Sequence, residues 1–236
     1  MVTWIYGSRP PSNLCQSADV HFPLREDIWL DVDTRLRELT GDTRSLDDFA
    51  RAFFGRNDGA WTTDVYDRDE VIATLSAIAA DDWEGFFDDQ LNHNHKGAPL
   101  AGLKRGGYRL VYRDQPSDYA CSAQTVFGRI DLTHSLGVTL SADGELQDVL
   151  WEGPAFAAGL TIGAKLVAVN DRTFTVEALH HAIAAAAEDG PPVTLGITKG
   201  RYARMVEIDY RGGLRFPHLE RIEGTRDRLG DIFTPL

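Results

Sequence analysis

Seven histidines, His21, His93, His95, His134, His180, His181 and His218, have the widest chemical range of the side chains here. As metal ligands they need company at fixed spacing. A helix-borne zinc site takes two imidazoles one turn apart, as in His-Glu-x-x-His, with the Glu acting as base. No two of the seven are so placed. His93 and His95 would share one face of a strand, but no third ligand follows at suitable spacing, and they read as loop residues. His180 and His181 are adjacent on a predicted helix, about 100° apart, and cannot chelate one ion together. Cys15 and Cys121 have no short spacing and no histidine nearby, so they do not read as a zinc pair. A disulfide between them is compatible with the sequence but not fixed by it. The acidic pairs Asp47-Asp48 and Asp88-Asp89 fall at a helix start and on the outer side of a helix, where solvated charge is the ordinary role. No catalytic residue, metal ligand or cofactor is assigned to this chain.

The strongest binding motif lies further on. Gly153-Pro154-Ala155-Phe156-Ala157-Ala158-Gly159-Leu160 is followed by Gly163-Ala164-Lys165-Leu166-Val167-Ala168-Val169-Asn170. Pro154 suits the first turn of a short helix, Gly159 its stop, and Asn170-Asp171 is a turn pair that tolerates left-handed backbone. Together these segments resemble the PDZ signature. Ala164 stands where Asp is usual and Asp171 where Gly is usual, and neither position touches the peptide groove in PDZ domains. Upstream, Ser135-Leu136-Gly137-Val138-Thr139-Leu140 sits where PDZ domains place their carboxylate-binding loop. Such a loop works because Gly lets consecutive backbone N–H groups point at one anion. The strand after it can then add an incoming peptide as a neighbour. By the same resemblance the facing helix is Val176–Ala187, with Val176, His180 and Ile183 toward the groove. Plain core packing is the competing role for all three, and Ile183 can serve both. The peptide-binding residues expected are thus Ser135, Leu136, Gly137, Val138, Thr139, Val176, His180 and Ile183. They would take the C-terminus of a peptide with an apolar last residue, with micromolar affinity or about 8 kcal/mol. The tail after Gly212 is a competing occupant, through Phe233 or Leu236.

These residues depend on elements of two kinds. Residues 24–92 read as helices: Leu24, Ile28, Val32, Leu36 and Leu39 share a face ahead of Gly41. Ser45 with Asp48 starts a second helix, with Leu46, Phe49, Ala50 and Phe53 as its stripe. Asp67 with Glu70 starts a third, and a fourth begins near Asp81 with Trp83, Phe86, Phe87 and Leu91. Residues 93–118 are rich in turn formers around a short strand, Tyr108–Tyr112. Beyond about 120 the pattern is β-rich, with strands over 136–140, 146–151, 165–169, 193–198 and 204–208. One helix, from Val176 to about Glu188, interrupts them.

A second resemblance covers nearly the whole chain, in order. Ile28–Thr34, Arg44–Gly55, Gly106–Tyr112, Asp148–Phe156 and Arg215–Ile222 look like the C-terminal part of the glycyl-aminopeptidase family. These are thermolysin-like zinc metallopeptidases with a C-terminal PDZ domain. The resemblance implies an upstream β-domain and a zinc-bearing catalytic core. Zinc is therefore the family's cofactor rather than one assigned to this chain, and the catalytic half is a candidate partner. Relatives tend to carry tyrosines after Ser17-Ala18-Asp19, one of which could donate to an oxyanion. Val20 and His21 stand there instead, and Pro23 resets the helix start.

The fold class expected is α+β: a helical C-terminal subdomain of a thermolysin-like peptidase, then a PDZ β-barrel-like domain. The boundaries expected are 1–95 for the helical part, 96–118 for a linker with a short strand, 119–212 for the PDZ domain and 213–236 for the tail. Composition is consistent with a real core, at 43% hydrophobic and 10% aromatic. A formal net charge of -12 argues against nucleic acid and against anionic membrane surfaces as partners. No segment approaches the roughly 20 apolar residues of a membrane span. Met1–Gly7 has no signal-peptide pattern and reads like the middle of a domain, which suggests a fragment of something longer. Relatives are often exported, so the compartment stays open.

Overall fold

The computed structural model describes residues 21–56, 59, 61, 65–92, 100–187 and 189–234. Cys15, Val20, His93, His95, Leu236 and the side chain of His21 lie outside the described residues. The chain forms two compact units, residues 1–110 with 220–236, and residues 111–219. It leaves the first unit within the strand Tyr108–Arg113 (β1) and re-enters it within the strand Phe216–Arg221 (β9).

The first unit is helical: α1 (His21–Leu39), α2 (Leu46–Phe54), α3 (Arg68–Ile78), α4 (Trp83–Asn92), α5 (Ala101–Arg105) and α9 (Arg228–Phe233). Both expected capping boxes are present, Ser45 with Asp48 and Asp67 with Glu70. Each satisfies two backbone N–H groups that a helix start otherwise leaves bare. The apolar stripes converge as their spacing requires. Ile28, Val32 and Leu36 of α1 pack with Phe49, Phe53, Leu75, Trp83, Phe86 and Phe87 in one core. Helix α5 lies so close to α1 that a Cβ on Gly102 would stand 2.8 Å from the Asp31 backbone.

A polar lattice runs through this unit. Asp31 is buried and forms an ion pair with Arg105. Gln90 Nε2 also donates to Asp31, at 3.2 Å. Arg105 Nε reaches Thr34 Oγ1 at 3.4 Å. Asp33 accepts from the Leu46 N–H at 2.6 Å and from Arg37 Nε at 2.8 Å, which fixes α2 to α1. Asp42, in left-handed backbone at φ 65°, accepts from Arg228 Nε at 2.6 Å. The Arg228 hydrogen bond holds the Asp42 carboxyl below the usual carboxylate range.

The second unit holds two open sheets. One is three-stranded, in the order β2 (Arg129–Leu132), β3 (Val138–Ser141), β4 (Leu146–Val149). The other runs β6 (Arg172–Thr173), β5 (Lys165–Val169), β7 (Val193–Lys199), β8 (Tyr202–Ile208). Neither closes into the barrel-like arrangement expected. A single isolated bridge, Glu145 to Lys165, is described between them. Helices α6 (Asp118–Phe127), α7 (Pro154–Ala157) and α8 (Val176–Ala187) complete the unit. Its core joins Leu132, Leu140, Leu166, Leu179, Ile183 and Leu195 with Phe216.

Local geometry in the motif follows its residue types. Pro154 opens α7, Gly159 follows it at φ 77°, and Asn170 turns at φ 52°. Two stretches differ from the sequence expectation. Residues 118–127 form a helix, capped by Ser117 and stopped by Gly128 at φ 60°. The polar-looking tail contains β9 and α9, and its residues 213–219 belong to the second compact unit.

Candidate functional site

The anion loop was expected to offer consecutive N–H groups. Two of them are already engaged: Ser135 N–H and Gly137 N–H both donate to the Leu132 carbonyl, at 3.0 and 3.1 Å. Gly137 does adopt positive φ, at 77°, but its role is to close the β2–β3 hairpin. Ser135, Leu136 and Val138 are buried. Leu136 and Gly137 carbonyls accept from Ala155 and Leu150, at 2.9 and 2.8 Å, which pins the loop to the α7 turn. Thr139 Oγ1 faces Thr133 Oγ1 at 3.4 Å.

Strand addition to Val138–Leu140 also meets an obstacle. Strand β3 pairs antiparallel with β2, Leu132 opposite Val138, and on its other edge with β4, Val138 opposite Val149. A strand has two hydrogen-bonding edges, and both are occupied. The expected peptide strand has no open edge on β3 in this state.

The three helix positions separate. Ile183 is fully buried and belongs to the core. Val176 is half-buried and packs against that core. His180 is half-buried, with its Nε2 shielded from solvent and without a hydrogen-bond partner. Its ring meets Phe216 edge-on, at 6.1 Å between centroids and 70° between planes.

What lies along α8 is the chain's own segment after β8. Arg211 donates to the carbonyls of Ala186 and Gly190 at 2.9 and 2.6 Å, where the helix ends. A Cβ on Gly213 would contact Ala187 at 3.4 Å. Arg215 N–H then donates to Ser135 Oγ at 3.0 Å, and Phe216 reaches His180. The segment therefore runs antiparallel to the helix, from its C-terminal end to its middle and past the loop. The sequence reading puts Phe233 or Leu236 forward as the occupant, not Phe216. Phe233 is 77% exposed. Beside the loop, the Arg215 guanidinium lies over the Tyr112 ring at 4.4 Å, and Tyr112 neighbours His134 at 5.2 Å.

Burial lowers the His180 pKa below the ordinary histidine value of 6.5, and Glu177 opposes this in part. The unfolded chain then takes up the proton first as pH falls through about 6.5, so acid destabilises the folded state. His180→Leu is expected to stabilise the second unit by about 1 kcal/mol at pH 7, since it removes an unsatisfied polar group. The gain should grow toward pH 5. Urea midpoints of both forms at the two pH values check this, and a destabilised His180→Leu at both would refute it.

Among the described residues, no cluster of three or more His, Cys, Asp or Glu could hold a metal ion. The family resemblance puts its zinc in the upstream catalytic core, not on these residues. The acidic pairs have local roles: Asp48 completes a cap and Asp88 pairs with Arg68 at 2.8 Å. No described helix is long and apolar enough to cross a membrane.

Helices and open sheets in this order make the described residues an α+β protein. No family model matches the chain, and no curated relative does. Among solved structures it is similar to the aminopeptidase N family protein of Idiomarina loihiensis, with 19% identity and a TM-score of 0.52. The match covers 88% of this chain and 35% of that one. At this identity the likeness is one of fold alone.

Proposed function

We propose that this chain is the non-hydrolytic, peptide-binding part of an aminopeptidase-family protein, with its 119–212 region working as a PDZ-type module. The observation that carries this reading is the chain's own segment, residues 211–216, seated along α8. The surface made by His180 and the loop at Ser135, with Val176 nearby on the same helix, holds a chain segment through an aromatic side chain at His180 and a main-chain N–H on Ser135 Oγ. Leu136, Gly137, Val138 and Thr139 shape the loop rather than donate to a ligand, and Ile183 supports the groove from the core. Ligands are peptides or protein segments. A second reading is favoured by the 35% span of the match: the region works beside a zinc-bearing catalytic half of the glycyl-aminopeptidase type, which presents or holds the substrate.

The test is titration of the full chain with apolar-ended peptides, as free acids and as C-terminal amides, alongside zinc analysis and an aminopeptidase assay. Both peptide forms are expected to bind alike, within about twofold, because Ser135 and Gly137 N–H are engaged with Leu132. Affinity should fall in the high-micromolar range, around 5–6 kcal/mol. Failure of both forms to bind at millimolar concentration rejects peptide binding. A tenfold preference for free acids would restore carboxylate capture at the loop. Stoichiometric zinc with chelator-sensitive activity would overturn the non-hydrolytic assignment.

A further inference from the structure

The segment along α8 is held firmly at its ends, by Arg211 on the Ala186 and Gly190 carbonyls and by Phe216 in the core, and thinly between them. Its main-chain hold on the loop is the Arg215 N–H to Ser135 Oγ. The Tyr210 hydroxyl bonds within the segment itself, to the Gly213 carbonyl at 2.9 Å. Burial of Phe216, partial burial of Leu214 and the Arg215 guanidinium over the Tyr112 ring add to this. Against this stands His180, whose Nε2 is buried without a partner beside Phe216. Moving Phe216 away would return that nitrogen to water and offset part of the lost apolar contact. A joint is in place: Gly212 and Gly213 precede Leu214, and Gly213 sits at φ 68°, a region open chiefly to glycine.

We propose that residues 211–216 are a built-in occupant of the α8 groove, released locally so that an internal extended segment of another chain can take their place. The incoming segment has the chemistry of the one it replaces, an aliphatic, a basic and an aromatic residue in succession, as in Leu214-Arg215-Phe216. Its main-chain N–H takes the Ser135 hydroxyl and its ring covers His180. This rests on the peptide-binding reading above and deepens it: the ligand is an internal segment, and access to the groove is controlled by the chain itself.

Two measurements on the full chain test it. In the unaltered protein, hydrogen exchange at the Leu214, Arg215 and Phe216 amides should be at least 100-fold faster than in the centre of β7. Equal rates would mean that the segment opens only with global unfolding, and would overturn the proposal whatever peptides do. The second probe is a peptide copying residues 210–219, acetylated and amidated. It should bind Phe216→Ala at least tenfold more tightly than the unaltered chain, because the occupant has lost its anchor. Equal affinity for the two, with Phe216→Ala shown to be folded, also overturns the proposal. Fast local exchange with no binding of any peptide would instead sink the peptide-binding reading and leave the releasable segment standing.

Discussion

Arg105→Ala is expected to destabilise the helical unit by about 3–5 kcal/mol, the largest effect foreseen for a single substitution. Asp31 is buried within the α1–α5 contact, and its carboxylate meets the Arg105 guanidinium there. Removing the cation leaves a buried negative charge with the Gln90 amide as its remaining hydrogen-bond donor. It also removes the reach to Thr34 and to the Asp31 carbonyl, both at 3.4 Å. Water has little room to help, since α5 approaches the Asp31 backbone through Gly102. Replacing both partners with apolar residues of similar size, Asp31→Leu with Arg105→Met, should recover much of the loss. A buried pair is costly to break but contributes little net stability over an apolar pair. Urea unfolding followed by the fluorescence of the buried Trp83 reads both variants. A loss under 1 kcal/mol for Arg105→Ala would show that the pair is solvated and this account mistaken.

Ile183→Ala should cost the second unit about 3–4 kcal/mol, the usual range for emptying a fully buried aliphatic site. The sequence left Ile183 as either core or groove wall. The structure puts it at 0% exposure among Leu179, Ala182 and Ala186 of the same helix. If it lined an open groove instead, truncation would weaken peptide binding with a stability change below about 1 kcal/mol. Val176→Ala is the internal control: half-buried at the start of α8, it should cost less than half as much. Denaturant midpoints for both, with the peptide titration on the folded fraction, separate the two accounts.

Much of this architecture was legible because its causes are local. The capping boxes at Ser45 and Asp67, the turn at Asn170 and the start of α7 at Pro154 each depend on a few neighbouring residues. The helical stripe through Ile28, Val32 and Leu36 and the strands β3, β4, β5, β7 and β8 follow from periodicity. Helix α6 escaped notice because none of its residues is buried, so no stripe existed to find. Its signal was confined to its ends, in Ser117 and Gly128. Strand β9 was masked by Pro217 at its second position, directly after Phe216.

From its residues alone the chain determined an α+β fold, helical first and β-rich after, with a glycine loop ahead of a short helix and a strand. Those features are set by backbone preferences and by the spacing of apolar residues along one segment. Tertiary structure decided whether the loop could bind anything. The alternation in Val138–Leu140 is the same whether its edge faces a ligand, water or the strand Arg129–Leu132. The Ser135 and Gly137 N–H groups are equally ready for a carboxylate or for the Leu132 carbonyl. Which partner takes them depends on what else in the chain reaches that edge, and here β2 does. Likewise, the helix face at His180 is covered by Phe216, 36 positions away in sequence, a pairing that no local pattern encodes.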